Sequence, residues 1–346
     1  MTSGTCTCIT EGVAVWPTLA KATGPIDNIL SSAMANNTQP ILVTGGAGFI
    51  GSALVRRLLS EGHPIALLLK HSTNTRRIAD LLPRVRCCYG DLTDALGIAK
   101  IMHELRPRGV FHCAASNMKS GVNAPDEDLV RVNFLGTANL LRALDDHEYQ
   151  FFVNTGSFLE YGVKDHPVRE DERCEPGEVY SITKLASTLY GQALARQKKK
   201  PVVTFRIFSP YGPAMEQGRL VHELIIRALK GEEVSLTRPT IARDFIFVED
   251  IVDIYMESMN KAMQLSGEIF HVGAGVKTTL TDLVDEVLRI TGTKSQMKWG
   301  SFHSVAYDSD TWQADMQKTF SRFNWRPAHT LAQGIQKTID WYRHHT

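Results

Sequence analysis

Apolar residues recur along this chain in two alternating rhythms. After Pro40, "ILVTGG" is a short β-branched run that breaks into glycines, and "FIGSALVRRLLSEGH" then places apolar residues at helical spacing. The pattern predicts strand, turn, helix. It continues with strands at Ile65–Leu69, Val85–Tyr89, Val110–Cys113, Phe151–Asn154 and Val202–Phe208, separated by helices at Thr75–Leu82, Leu92–Leu105, Leu129–Leu144 and Val179–Gln197. Strands joined through helices imply right-handed crossovers and a parallel sheet covered on both faces. The fold class is α/β, with a doubly wound parallel-sheet domain at 39–210. Beyond Pro210 the rhythm loosens into a Gly/Pro loop, "YGPAMEQG", an amphipathic stretch at Arg219–Leu229 and renewed strand character in "VSLTRPTIARDFIFVEDI". We expect a smaller C-terminal α/β substrate domain at 211–346, mainly 211–242 and 257–346, with a return to the first domain near 243–256.

Composition narrows the function classes. The 346 residues carry 38 Lys+Arg against 37 Asp+Glu, a formal charge of +1. That balance offers no footprint for nucleic acid or an anionic membrane, and no apolar run is long enough to span a bilayer. A soluble, cytoplasmic protein is expected. The six cysteines form no CxxC pair and no zinc-caging Cys/His spacing, so they read as free thiols in a reducing compartment, with no metal. Residues 1–38 contain one basic residue, Lys21, and a short apolar stretch at Val13–Trp16, without the charged start of a secretory signal. They read as an N-terminal extension, with Met34 as an alternative start.

The first candidate chemistry is Thr44–Gly51, "TGGAGFIG". Gly46, Gly48 and Gly51 form GxGxxG between a predicted strand and helix, where glycines let backbone approach a pyrophosphate and the helix N-terminus receives its charge. We assign Gly45, Gly46, Gly48, Phe49, Ile50 and Gly51 to cofactor binding in a Rossmann domain. An acid about 20 residues further on would accept from a free ribose 2′-hydroxyl. No acid stands between Glu61 and Asp80; instead the second strand ends at Lys70, His71 and Ser72, with Arg76 and Arg77 beyond. Lys70, Ser72 and Arg76 suit a 2′-phosphate, which favours NADP(H) and leaves NAD(H) as the alternative. The second constellation is "YSITK", Tyr180 to Lys184, with Ser157 upstream at a predicted strand end. Residues i and i+4 share a helix face, so Lys184 can lie beside the Tyr180 phenol. Lowering that phenol from about 10 to about 7 takes roughly 4 kcal/mol, for which the lysine and a nicotinamide charge are sources. A tyrosine so tuned can pass a proton to or from a sugar oxygen that Ser157 also hydrogen-bonds.

With these residues in place the chain resembles the extended short-chain dehydrogenase/reductase family, in its nucleotide-sugar epimerase, dehydratase and reductase branch. The resemblance runs from about Ile41 to the C-terminus, through "GDLTD" at Gly90–Asp94, "HCAAS" at His112–Ser116, "VNFLGT" at Val132–Thr137, "TGSFLEYG" at Thr155–Gly162, "RIFSPYGP" at Arg206–Pro213, "RDFIFVEDI" at Arg243–Ile251, "HVGAG" at His271–Gly275 and the segment Trp325–Tyr342. It implies that Asp91 and Leu92 contact adenine, that Ala114 and Ala115 pack over the cofactor, and that Arg243 holds the diphosphate of a nucleoside-diphosphate sugar. Arg219 is a second candidate for that diphosphate, and Ser116, Ser157, Phe158 and Ser209 are expected on the substrate side. Ser209 stands where the family usually has Asn. Phe158 and Leu159 stand where the 4,6-dehydratases resemble one another in carrying Asp and Glu. Glu160, read as part of the strand, is expected to point away from Leu159 or to be solvated.

The resulting reading is an NADPH-dependent reduction of a nucleotide-linked 4-keto-6-deoxyhexose at C4, in deoxysugar synthesis. Its alternative is a 4-epimerase with tightly held NAD. A regulator that binds dinucleotide without catalysis is the remote third, and the resemblance also implies a homodimer.

Overall fold

The computed structural model describes residues 38–116, 124–303 and 307–345, so the extension expected at 1–38 lies, apart from Thr38, outside the described residues. From Gln39 onward the chain forms one compact unit. Its elements follow from β-branched runs that break at glycines. β1 (Ile41–Thr44), α1 (Phe49–Ser60) and β2 (Ile65–Leu69) are followed by β3 (Arg86–Tyr89), α2 (Ala95–Leu105) and β4 (Gly109–His112). Then come α3 (Asp126–Leu129), a π-helical segment (Val130–Leu135), α4 (Gly136–Ala143), β5 (Phe151–Ser157), α5 (Val179–Lys198) and β6 (Val202–Ile207).

Six strands pair in parallel in the order β3-β2-β1-β4-β5-β6, and a seventh, β11 (Ile269–Val272), joins beside β6. The sequence reading had placed 269–272 in the second domain. Strand order reverses between β1 and β4, and the C-terminal ends there, Thr44 and His112, lie side by side. Crevices at such switch points are where doubly wound sheets bind ligands. Alternate residues of β1 serve opposite faces: Ile41 and Val43 enter one core with Leu54, Val55 and Phe111, whereas Leu42 enters the other with Ile98, Val110 and Phe152. Burial on both faces explains why the run is continuously apolar.

The remaining elements are β7 (Ser209–Tyr211), α6 (Leu220–Lys230), β8 (Val234–Ser235), β9 (Ala242–Arg243), β10 (Phe245–Phe247), α7 (Val248–Ser258), β12 (Thr278–Thr279), α8 (Leu280–Thr291), β13 (Met297–Lys298), α9 (Gln317–Arg322) and α10 (Leu331–His345). α6, α8 and α10 pack around a third core containing Tyr211, Leu224, Ile225, Leu283 and Ile339. No helix among the described residues is long and apolar enough to cross a membrane.

Two expected helices differ. In place of Thr75–Leu82 there are two single 3₁₀ turns, Arg76–Ile78 and Leu82–Arg84. Pro83 disfavours a helical Leu82, and Arg56 holds the intervening chain by bonding the Arg77 carbonyl at 2.7 Å and the Asp80 carboxylate at 2.6 and 2.8 Å. The helix expected at Leu129–Leu144 begins at Asp126 and passes through the π-helical Val130–Leu135. That widened turn frees the Asn133 carbonyl, which accepts from the hydroxyls of Thr137 and Ser187, each at 2.6 Å.

Candidate active site

The turn after β1 is shaped by close backbone approach. Gly45 has φ +68°, and a Cβ there would come within 2.6 Å of the Ala114 nitrogen, so the exits of β1 and β4 touch. A Cβ on Gly51 would stand 2.2 Å from the Gly45 oxygen, and one on Gly46 would stand 2.8 Å from Leu67. Phe49 and Ile50 open α1, whose first turn holds no acid and whose cap residue, Gly48, offers no side chain. The leading amides of α1 are thus not capped by a side chain, an arrangement that suits an anion.

Beneath this loop lies a chain of hydrogen bonds with one possible direction. The Thr137 hydroxyl donates to the Asn133 carbonyl, so His112 Nε2–H donates to Thr137 Oγ1 at 2.8 Å. Nδ1 then accepts from Thr44 Oγ1 at 2.7 Å, and Thr44 Oγ1 accepts the Ala114 amide at 3.3 Å. The imidazole is neutral, its pKa pushed down to about 3 by burial and, secondarily, by Lys184. Ala115 is exposed just beyond. Ser116 is clamped by the buried Asn133 amide, which accepts its N–H at 2.7 Å and donates to its carbonyl at 3.0 Å.

At the ribose end the structure brings Lys70 and Asp91 together, ammonium to carboxylate at 2.9 Å. Burial opposes ionisation of Asp91, yet hydrogen bonds from Lys70 and Thr93 hold its carboxyl below the ordinary range. Leu92 is buried beside it, while Ser72 and Arg76 are exposed. Arg77 turns toward the loop after β7, donating to the Ala214 carbonyl at 2.7 Å and pairing with Glu216 at 3.5 Å.

Ser157 is the last residue of β5, and Tyr180 and Lys184 lie one turn apart in α5. The Ser157 hydroxyl lies close enough to the Tyr180 phenol to lower its pKa. Ser157 Oγ also accepts the Leu159 amide at 3.2 Å, so its own hydrogen is free to be donated. Burial pushes the Tyr180 phenol up to about 12, against the pull of Arg219 and Ser157, while Glu160 and Glu178 add to the rise. The expected lowering of this phenol by Lys184 is therefore not what the polypeptide alone provides: a desolvated site penalises phenolate. Lys184 is buried, its pKa lowered by desolvation, and its ammonium makes no hydrogen bond or ion pair among the described residues.

Glu160 departs from its expected place. Residues Phe158–Tyr161 form a 3₁₀ turn, not strand, and this rotates Glu160 into full burial. Its Oε1 accepts the Ser157 amide at 2.9 Å and the Thr188 hydroxyl at 3.2 Å, and its Oε2 pairs with Arg206 Nε at 2.8 Å. Arg206 is equally buried, with its guanidinium 4.2 Å from the Tyr161 ring centre. This pair carries Ser157 on its inner side.

On the substrate side, Phe158 is buried against Phe208 and Trp312, with ring centres at 5.3 and 4.7 Å, so its side chain belongs to the core. Leu159, Glu178, Ser181 and Tyr307 line a cavity. Ser209 is fixed in β7, its N–H bonded to the Asp244 carbonyl at 2.9 Å. Arg219 caps α6 and lowers the pKa of both Tyr180 and Tyr307. Arg243 pairs with Asp308 at 2.5 Å and lies over the Tyr307 ring, its guanidinium 5.4 Å from the ring centre. Neighbouring carboxylates are engaged elsewhere: Asp244 is fully buried, accepting the amides of Ala274 and Ala314 at 2.7 and 3.0 Å, and Glu249 pairs with Lys337.

Sequence reading did not single out His112, Asn133 or Arg206, and it misplaced Glu160. Each lies inside a motif quoted above, but its partner is 17 to 68 positions away. An open helix N-terminus, a glycine turn without room for a Cβ and a buried ammonium lacking a partner among the described residues together fit a dinucleotide.

Comparison with known proteins agrees. Residues 41–273 match the NAD dependent epimerase/dehydratase family. The UDP-glucose 4-epimerase of Mycolicibacterium smegmatis is 29% identical over 87% of this chain and 98% of its own, and dTDP-glucose 4,6-dehydratase 1 of Escherichia coli is 28% identical over 88% and 93%. The crystal structure of UDP-glucose 4-epimerase from Thermus thermophilus, a complex with NAD, superposes with a TM-score of 0.77 at 25% identity, covering 88% of this chain and 99% of that one. The chain belongs to the NAD dependent epimerase/dehydratase family, in the nucleotide-sugar epimerase and dehydratase branch of the extended short-chain dehydrogenases/reductases.

Proposed function

We propose that the chain is an NAD(H)-dependent 4-epimerase of a nucleoside-diphosphate hexose. The observation that carries this is the Lys70–Asp91 ion pair. Lys70 was the main reason to expect a 2′-phosphate, and hence a consumed NADPH; with its charge balanced by Asp91, an NAD that is restored each cycle is the better fit. The similarity to UDP-glucose 4-epimerases supports the same choice. C4 reduction of a 4-keto-6-deoxyhexose is the second reading, favoured by the exposed Ser72 and Arg76 near the end of β2. Assembly of Ser157 with Tyr180 argues against a regulator without catalysis.

When bound, the dinucleotide supplies hydride acceptance and return at C4. The chain's own part is proton transfer and positioning. Tyr180 takes the proton of the C4 hydroxyl during oxidation and gives it back on reduction, and Ser157 donates a hydrogen bond to the same oxygen. Lys184 stabilises the transient phenolate, and Arg219 and Arg243 hold the diphosphate, the latter oriented by Asp308. Dehydration is excluded from this reading, because Phe158 and Leu159 exchange no proton and Glu160 is occupied by Arg206. A homodimer is part of the proposal, through the outer face of α5.

The test is incubation of the protein with NAD or NADP and a panel of nucleoside-diphosphate hexoses. The expected result is tighter binding of NAD, C4 epimers as products, no lasting absorbance change at the reduced-cofactor band and no alkaline enone from a 4-keto-6-deoxy sugar. Asp91→Asn, which releases Lys70, is expected to improve NADP binding relative to NAD. Tight NADPH binding in the wild type with stoichiometric oxidation by a 4-keto sugar would select the reductase instead.

A further inference from the structure

Two residues before Tyr180, Glu178 begins α5 with its backbone held by Ser181, whose hydroxyl donates to the Glu178 carbonyl at 2.8 Å. It lines the cavity that Leu159, Ser181, Tyr307 and Trp312 share, walled by the residues that follow Ser157 and Tyr180 in the chain. The other carboxylates here are neutralised by neighbours. Glu175, on the same cavity, pairs with Lys164 at 3.0 Å and with Arg173 at 3.5 Å; Asp308 pairs with Arg243, and Glu160 with Arg206. Glu178 makes no ion pair among the described residues, and it is half-buried, where like charge is poorly screened. Its field reaches Tyr307 on the cavity wall and Tyr180 two residues along the chain, raising the pKa of both.

We infer that Glu178 is a specificity-determining carboxylate that faces the hexose, accepts hydrogen bonds from its hydroxyls, and rejects sugars that carry a carboxylate of their own. The inference rests on the nucleotide-sugar reading above and adds the sugar class: neutral hexosides over uronates. A uronate brought into this cavity meets an unpaired negative charge, whereas a hydroxyl finds an acceptor.

The test compares UDP-glucose with UDP-glucuronate, because the shared nucleotide cancels in the ratio. For the wild type, kcat/KM is expected to favour UDP-glucose by about tenfold or more, mostly through KM. Glu178→Gln keeps the shape and removes the charge; it is expected to shift the ratio of kcat/KM for UDP-glucuronate over UDP-glucose by about tenfold toward the uronate. Glu178→Ser serves as the second variant, since serine is a favourable helix cap and keeps α5 begun. Equal changes toward both sugars in these variants, or a wild type that accepts both equally, would overturn the inference. Should neither sugar turn over, their affinities by calorimetry are compared in the same way. A ratio unmoved by both variants refutes the role of Glu178, while failure of both sugars to bind refutes the underlying reading as well.

Discussion

At Tyr180 the protein sets burial against proton chemistry. Desolvation holds the phenol protonated, with a pKa near 12, so its conversion to a base depends on positive charge brought close to it. Tyr180→Phe removes only a hydroxyl and is expected to leave fold and cofactor binding intact while lowering turnover by ~10²–10⁴; a near-normal rate would remove the proton-transfer role. His112 offers a second test at this scale. Its pKa is near 3 folded and about 6.5 unfolded, so between these values the unfolded chain binds the extra proton and stability falls as pH drops. Replacement by glutamine is expected to flatten the dependence of unfolding free energy on pH by up to about 1.4 kcal/mol per pH unit. Urea titrations between pH 4.5 and 6 read this directly, and identical slopes would mean that the imidazole is already protonated in the fold. The placement of Ser157 at a strand end and of Tyr180 and Lys184 one turn apart on a helix was legible because motif spacing carries it. Glu160 was not, because its partner Arg206 lies 46 positions away and only the 3₁₀ turn brings the two together.

Among the elements, strands that are buried on both faces were read well: β2 has the limits that its apolar run predicts, and β5 extends past the expected Asn154 to Ser157. The misread segments are those in which a local rule is overruled by distant contacts. Arg56 and Pro83 keep residues 75–82 from forming a helix, and the π segment owes its geometry to Asn133 bonding across to Ser116 and Thr183. The outer face of α5 leaves Ile182 and Leu189 half exposed, seven residues apart and hence on one stripe, with Val130 and Leu135 exposed on the π segment packed against that helix. Such a patch is what a helix-mediated dimer would cover. Sedimentation is expected to show a dimer, and Ile182→Glu with Leu189→Glu is expected to yield folded monomers; a wild-type monomer would refute the interface.

For the whole molecule, the sheet's order reversal marks where a dinucleotide fits, and Arg219 and Arg243 both act on Tyr307, whose pKa they lower. Fold and family were legible from strand rhythm and ordered motifs. The reaction was less so, because reductase and epimerase demand the same proton-transfer residues and differ in whether the cofactor is restored. The decisive measurement therefore follows hydrogen rather than residues. A nucleoside-diphosphate hexose deuterated at C4 is incubated with the protein and catalytic NAD, and the product is examined by mass and NMR spectroscopy. The account predicts the C4 epimer with deuterium retained at C4 and none in the cofactor pool; deuterium transferred stoichiometrically to released reduced cofactor, or a 4-keto-6-deoxy product, would contradict it.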